Sequence, residues 1–234
     1  MYRQDLEDSH TVLNASQWVA GDKYSAPKRS PLALAAKRAI DIFGVLVFVT
    51  LFLPVYLAVA LGVRLSSRGP VHYFQDRVGR DGKLFRFYKF RSMVPNSEEI
   101  LTSFLHSDPQ AKSQWDTHQK LERDPRITPF GRFIRRTSLD ELPQMWNVLM
   151  GDMSLVGPRP CMPGQEKYYG KYWRTYCAVN PGLTGLWQVS GRSKLSFEDR
   201  VRLEARYVRE WTLLGDFKIL LKTVKVVLWA DGSH

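Results

Sequence analysis

From Ile42 to Val63 the chain reads IFGVLVFVTLFLPVYLAVALGV, 22 residues without a charge. About 20 apolar residues cross a bilayer as a helix. A buried core helix of this length normally carries a polar stripe, and this run has none. The pattern predicts a membrane element over residues 37–68, after a polar lead-in at 1–36 and before a polar chain at 69–234. A cleaved signal is the rival, since Ala58-Val59-Ala60 resembles a cleavage site. The long polar lead-in argues against it, because usual n-regions are far shorter.

Pro54 stands near the middle of the run, where it removes a backbone donor and clashes with the preceding turn. Lys37 and Arg38 flank one end, Arg64 and Arg68 the other. The positive-inside rule holds both flanks on the cytoplasmic face. A re-entrant helix-break-helix satisfies that rule; a proline-kinked single span is the alternative, which membranes tolerate. Asp41 is then expected at the interface, paired with a neighbouring base.

Beyond the membrane element, VHYFQDRVGRDGKLFRFYKFRSM at 71–93 reads as two short extended runs about the turn signal Arg80-Asp81-Gly82. By period two, Phe85, Phe87, Lys89 and Arg91 share one face. That face is either a basic site or a solvated edge that discourages aggregation. Residues 96–121 are polar and helix-permissive. The last segment, LLGDFKILLKTVKVVLW, gathers Lys218, Lys222 and Lys225 in one arc of an amphipathic helix. It suits a membrane interface or a packed terminal helix with its lysines in solvent. The expected fold class is α+β, predominantly helical: a membrane helix pair, a small β-hairpin and a cytosolic domain with interfacial amphipathic helices.

Composition narrows the partners. A net charge of +11 and a pI near 9.7 call for an acidic partner: nucleic acid, anionic lipid or a phosphorylated substrate. Cys161 and Cys177 are the only cysteines and lack zinc-site spacing, so free thiols in a reducing cytosol are expected.

Candidate chemistry gathers at Thr137-Ser138-Leu139-Asp140-Glu141-Leu142-Pro143-Gln144. Ser138 to Glu141 fits the S/T-x-x-E capping box, so an ordinary helix start explains the acidic pair. Arg126, Arg132, Arg135 and Arg136 precede it, however, and Arg159 follows, between Pro158 and Pro160. The two prolines restrict the backbone around that arginine, which suits a phosphate clamp or a structural salt bridge. A helix start offers free N–H groups to phosphate, an aspartate can form an acyl-phosphate, and a second carboxylate can help hold Mg²⁺. Gly182, Gly185 and Gly191 surround Trp187 in a loop with close backbone approaches, without the spacing of a nucleotide-binding motif.

KRAIDIFG, the interrupted apolar run, YKFRSM, DPRITPFGRFIRRTSLDELPQ, WNVLMGDMSLVGPRP and PGLTGLWQVSGR follow one another in the order of the bacterial sugar transferase family. The chain resembles these monotopic polyprenyl-phosphate phosphoglycosyl transferases over roughly residues 34–230, in the family's small form.

The resemblance implies that Asp140 is the nucleophile and Glu141 its catalytic neighbour, the pair associated with Mg²⁺. It implies phosphate contacts from Lys89, Arg135 and Arg159, and a break in a re-entrant membrane helix at Pro54. Family members often carry Ser before this proline; here the residue is Leu53, so the hydroxyl that could satisfy freed backbone groups is missing. The implied reaction moves a hexose-1-phosphate from a UDP-sugar to undecaprenyl phosphate through a covalent aspartyl-phosphosugar, releasing UMP. Galactose and glucose are the first donors to test. The implied place is the bacterial inner membrane, with the catalytic domain on the cytoplasmic face, at the start of exopolysaccharide, capsule or O-antigen assembly. A homodimer is left open. A non-enzymatic, membrane-tethered basic module is the rival; nucleic acid is not an expected partner, because no recognised motif for it is present.

Overall fold

The computed structural model describes residues 26–118, 121–191 and 195–229. These are mostly helical, with one long apolar helix and two small two-stranded sheets. The long helix, α1, runs over Pro31–Ser66 and so begins before residue 37. The hydroxyl of Ser30 accepts the N–H of Ala33 at 3.1 Å, and Pro31 fills a first-turn position that needs no donor. Pro54 lies inside this one helix, so the expected helix-break-helix is a single helical element. Proline there leaves the Thr50 carbonyl without its ladder donor. Only 11% of the most apolar stretch is buried, unlike the core helix of a soluble domain. Among the described residues it is the one helix long and apolar enough to cross a membrane.

The chain forms two compact units, and α1 is divided between them at Thr50. The first unit also takes Phe74–Phe87 and the chain from Gln144 onward. It holds α5 (Gln144–Met150), β3 (Ser154–Val156), α6 (Glu166–Tyr169), α7 (Trp173–Cys177), β4 (Gly182–Thr184), α8 (Phe197–Arg209) and α9 (Leu213–Trp229). Strands β3 and β4 pair in parallel, Ser154 with Gly182 and Val156 with Thr184. Gly182 is required there, because a Cβ would overlap the backbone of Gly157. The glycine-rich loop of the sequence is therefore partly a strand. Val156, Tyr207, Val208 and Ile219 form one core; Val45, Phe87, Met145, Val148 and Met153 form another.

The N-terminal half of α1 is tied into this first unit by its polar residues. Lys37 pairs with Asp216 at 2.7 Å, and Arg38 donates to the carbonyls of Val148 and Leu149 at the end of α5. Asp41 is buried and accepts from the Ser154 hydroxyl and the Leu155 N–H, each at 3.0 Å. The base expected beside Asp41 is replaced by these two neutral donors. In α9, Ile219 enters the core while Leu214, Phe217, Leu221 and Val224 stay exposed, so the helix shows an apolar outer stripe besides its lysines.

The second unit contains Leu51–Tyr73 and Tyr88–Pro143. Here Val59 and Val63 of α1 pack with Phe90 and Ile134, and Gly62 makes room for the Phe130 ring. Helices α2 (Ser97–Ser107) and α3 (Pro109–His118) fill the polar stretch after the hairpin, and α4 spans Pro129–Arg136. The hairpin is as read from the sequence. Strands β1 (His72–Val78) and β2 (Leu84–Phe90) pair about a 3-10 turn at Arg80–Gly82, with Asp81 at φ 59°.

Candidate active site

Three pieces of the second unit carry the site: the end of β2, helix α4 and the turn after it. Helix α4 is fixed from its start. The Thr128 hydroxyl accepts the Gly131 N–H at 2.9 Å, Pro129 follows the cap, and the Thr128 N–H donates to the Ser92 carbonyl at 3.1 Å. A Cβ on Gly131 would overlap the Ser92 carbonyl, so the helix comes as near to that strand extension as backbone allows. At its far end Arg135 donates from Nε to the Ser92 hydroxyl at 2.8 Å.

The chain then turns sharply. Ser138 is left-handed, at φ 57° and ψ 15°, and its hydroxyl makes no capping bond. Leu139–Glu141 form one 3-10 turn rather than the first turn of a helix, and α5 starts at Gln144. The expected capping box is thus not formed. A helix starting at Ser138 would ask Pro143 to donate to the Leu139 carbonyl, which proline cannot do. Nor is a long helix N-terminus aimed at the acidic pair.

The turn brings Asp140 and Glu141 to one lysine. Lys89 Nζ lies 3.2 Å from Asp140 Oδ2 and 2.8 Å from Glu141 Oε1. Asp140 is 6% exposed, so one of these carboxylates is nearly out of water. Burial pushes its carboxyl above the ordinary value and the Glu141 charge pushes the same way, while Lys89 and Arg135 oppose them. A desolvated carboxylate held beside a single ammonium has few competing water contacts. The basic face of β2 is therefore not a solvated edge: Lys89 is paired with the two carboxylates. Its second base does a different job: Arg91 is buried and donates to the Ser67 carbonyl, the Ser67 hydroxyl and the Pro70 carbonyl, closing the loop after α1.

Of the basic residues around the pair, Arg126 is spent on Asp124, with Nε to Oδ1 at 2.8 Å and a terminal nitrogen to Oδ2 at 2.6 Å. Burial pushes the Asp124 carboxyl up, but the Arg126 hydrogen bonds pull it below its ordinary value. Arg132 and Arg136 are exposed on α4. Lys89, Arg135, Asp140 and Glu141 come together in this unit, whereas Arg159 belongs to the first unit. There its peptide N–H donates to Glu204 and its guanidinium lies 5.9 Å from the Trp187 ring centre. Sequence reasoning missed Ser92, Thr128 and Glu204. Thr128-Pro129 was a readable cap signal; Ser92 and Glu204 act at long range and leave no local mark.

Two carboxylates on one turn bear on a metal. Among the described residues no group of three or more His, Cys, Asp or Glu side chains could hold one. Mg²⁺ is commonly bound by one or two carboxylates together with substrate phosphates. Asp140 and Glu141 fit an ion that arrives with a diphosphate, and do not form a cage of their own.

Residues 32–230 match the family model described as bacterial sugar transferase. The chain belongs to that family. The match contains Pro54, Lys89, Arg135, Asp140, Glu141 and Arg159. Among relatives, the UDP-galactose-lipid carrier transferase of Erwinia amylovora is 49% identical over 198 residues, 85% of this chain and 41% of the relative. The undecaprenyl-phosphate galactose phosphotransferase of Salmonella typhimurium gives the same figures, 49%, 85% and 41%. The exopolysaccharide production protein ExoY of Rhizobium meliloti is 39% identical over 204 residues, 87% of this chain and 90% of its own. The chain thus spans about two fifths of the first two family members, and nearly all of the third.

Proposed function

We propose that the chain transfers a hexose-1-phosphate from a UDP-sugar to undecaprenyl phosphate, as the first membrane step of exopolysaccharide, capsule or O-antigen synthesis. The observation that carries this reading is the buried Asp140 joined to Glu141 through Lys89, in a chain whose relatives are named as lipid-carrier sugar transferases. An Asp140 oxygen attacks the sugar-bearing phosphorus; an Asp–O–P bond forms, the bond to the nucleotide's phosphate oxygen breaks, and UMP leaves with that electron pair. A phosphate oxygen of undecaprenyl phosphate then attacks the same phosphorus. The new P–O–P bond gives undecaprenyl diphosphate–sugar, and the Asp140 carboxylate is released.

Lys89 keeps Asp140 ionised against its burial and offsets negative charge at the transferring phosphoryl group. Arg135, positioned by Ser92, and Arg159 contact phosphate oxygens. Asp140 and Glu141 would hold Mg²⁺ with the donor's diphosphate, and the ion supplies charge neutralisation for the departing nucleotide phosphate. The acceptor's phosphate lies at the membrane surface, so the proposed topology is re-entrant, with α1 entering and leaving on the cytoplasmic face of the inner membrane. The docking of both halves of α1 onto later parts of the chain supports this. The exposed stripe of α9 would lie against the same lipid surface.

Purified protein with Mg²⁺, undecaprenyl phosphate and either UDP-galactose or UDP-glucose is expected to release UMP in an acceptor-dependent manner. Without acceptor, a burst of at most one UMP per chain is expected, and none from Asp140→Asn. Substantial turnover by that variant, with contamination excluded, removes Asp140 as nucleophile; no UMP from a broad donor panel removes the transferase reading.

A further inference from the structure

The Pro158-Arg159-Pro160 backbone is held by three partners. Gly182 N–H donates to the Pro158 carbonyl at 2.7 Å, and Arg77 donates to the Pro160 carbonyl at 3.3 Å. The single peptide N–H of this tripeptide, that of Arg159, donates to Glu204 Oε1 at 3.0 Å. Prolines contribute no donor of their own, so this one bond sets the peptide orientation from which the arginine side chain departs.

Glu204, on α8, is 3% exposed and is satisfied on both oxygens. Arg200 Nε donates to Oε1 at 2.9 Å and the Tyr169 hydroxyl donates to Oε2 at 2.9 Å. Its charge is therefore compensated by Arg200 and not by Arg159. The sequence left open whether Arg159 makes a structural salt bridge; the carboxylate in reach takes its backbone instead. The Arg159 guanidinium pairs with no carboxylate among the described residues and rests over the face of Trp187. Arg200 lies 5.1 Å from the same ring centre, and the buried indole N–H of Trp187 has no acceptor among the described residues. The Arg159 guanidinium and the Trp187 N–H are thus two donors without an acceptor among the described residues, beside an Arg200 already paired with Glu204, which suits an incoming anion.

We propose that Glu204 is a positioning residue for the donor site: it fixes Arg159 by its peptide N–H while Arg200 takes up the carboxylate charge, leaving the Arg159 guanidinium for a phosphate of the nucleotide. This rests on the reading of Arg159 as a phosphate contact. Glu204 itself does not touch the donor, so it acts through Arg159 alone.

A double-mutant cycle tests this, with UDP binding to the full-length, detergent-solubilised protein measured by calorimetry. Glu204→Ala loses the peptide anchor and is expected to weaken UDP binding about tenfold, the cost of one well-placed hydrogen bond to a charged group. In an Arg159→Ala background the same change is expected to cost less than about twofold, because its effect is routed through the missing guanidinium. Glu204→Gln keeps an acceptor for the Arg159 N–H and is expected to recover most of the affinity; it also serves if the alanine variant fails to fold. A merely structural role predicts equal losses in both backgrounds, and that additive result overturns the proposal while leaving Arg159 in place. Wild-type affinity in both Glu204 variants overturns it as well. If Arg159→Ala alone binds UDP as tightly as wild type, the parent reading of Arg159 falls and the proposal falls with it.

Discussion

Lys89 Nζ stands 3.2 Å from the buried carboxylate of Asp140, on the side it shares with Glu141. One ammonium therefore serves two carboxylates. Removing it leaves the nearly dry Asp140 carboxylate next to Glu141, with Arg135 as its next opposing charge. Lys89→Met keeps the stem and deletes the charge. It is expected to lower kcat/KM by about a hundredfold or more, the usual scale for a preorganised charge at a reacting group. It is also expected to move the acid limb of the pH–rate profile upward, because Asp140 then binds its proton more tightly. Lys89→Arg should retain part of both. An unmoved acid limb in Lys89→Met would show that the ammonium does not set the protonation of the nucleophile.

Asp140 also makes a prediction about stability. Burial, with Glu141 next to it, raises the folded-state pKa above the ordinary 3.8 despite Lys89. For a raised carboxyl, the contribution to stability is full below the unfolded value and is lost as pH rises through the folded value. Ionising Asp140 in the folded protein therefore costs stability. Asp140→Asn, expected to abolish turnover, is also expected to melt higher than wild type at pH 7. The gap should narrow as the pH is lowered through the raised folded value toward the unfolded 3.8. Thermal unfolding of both proteins across that range checks the sign; a variant less stable than wild type at neutral pH would mean that the attraction of Lys89 outweighs burial.

The turn that presents Asp140 was the part of the site least legible in the sequence. Ser138 and Glu141 satisfy the capping-box spacing, yet Ser138 is left-handed and makes no cap. The deciding residue is Pro143, which cannot donate back to Leu139 and so holds the chain in a 3-10 turn. The hairpin was legible because alternation and a turn signal are local. Long-range pairings were not: Lys37 and Arg38 read as topology signals, and the folded chain spends them on Asp216 and the carbonyls ending α5. The three-residue strands β3 and β4 are too short for any periodicity to announce, and their pairing depends on glycine backbones meeting.

That conformation separates two accounts of Ser138. A capping hydroxyl predicts that Ser138→Ala costs about 1 kcal/mol. A left-handed serine without a cap predicts almost no cost from alanine, which is strained to the same degree. It further predicts a gain of up to about 1 kcal/mol for Ser138→Gly, since glycine reaches positive φ without the side-chain penalty. Chemical denaturation of the three proteins decides it, with a marked loss in Ser138→Ala counting against the left-handed turn. Activity should follow neither change closely, because the hydroxyl makes no capping bond and has no partner to lose among the described residues.

The two halves of α1 bear on the proposed topology. Residues up to Thr50 dock on chain that follows Gln144, through Asp41, Lys37, Arg38 and Val45. Residues after Leu51 dock on chain before Pro143, through Val59 and Val63 against Phe90 and Ile134. If α1 spanned the bilayer, these docking surfaces would lie on opposite faces. The chain would then have to cross at Tyr73–Phe74, at Phe87–Tyr88 and at Pro143–Gln144, with no second apolar helix among the described residues to do it. A re-entrant α1 needs no such crossing. Lys28→Cys and Arg68→Cys, made separately at exposed positions on either side of the helix, are therefore expected to resist a membrane-impermeant maleimide in intact cells. Both should react once the cytoplasmic face is opened. The native thiols leave a clean background: Cys161 and Cys177 are 0% and 4% exposed, and burial pushes both thiols up to about 12, so neither offers a thiolate near neutral pH. Labelling of one introduced cysteine from outside the intact cell would make α1 a span and would require the docking of one of its halves to be given up.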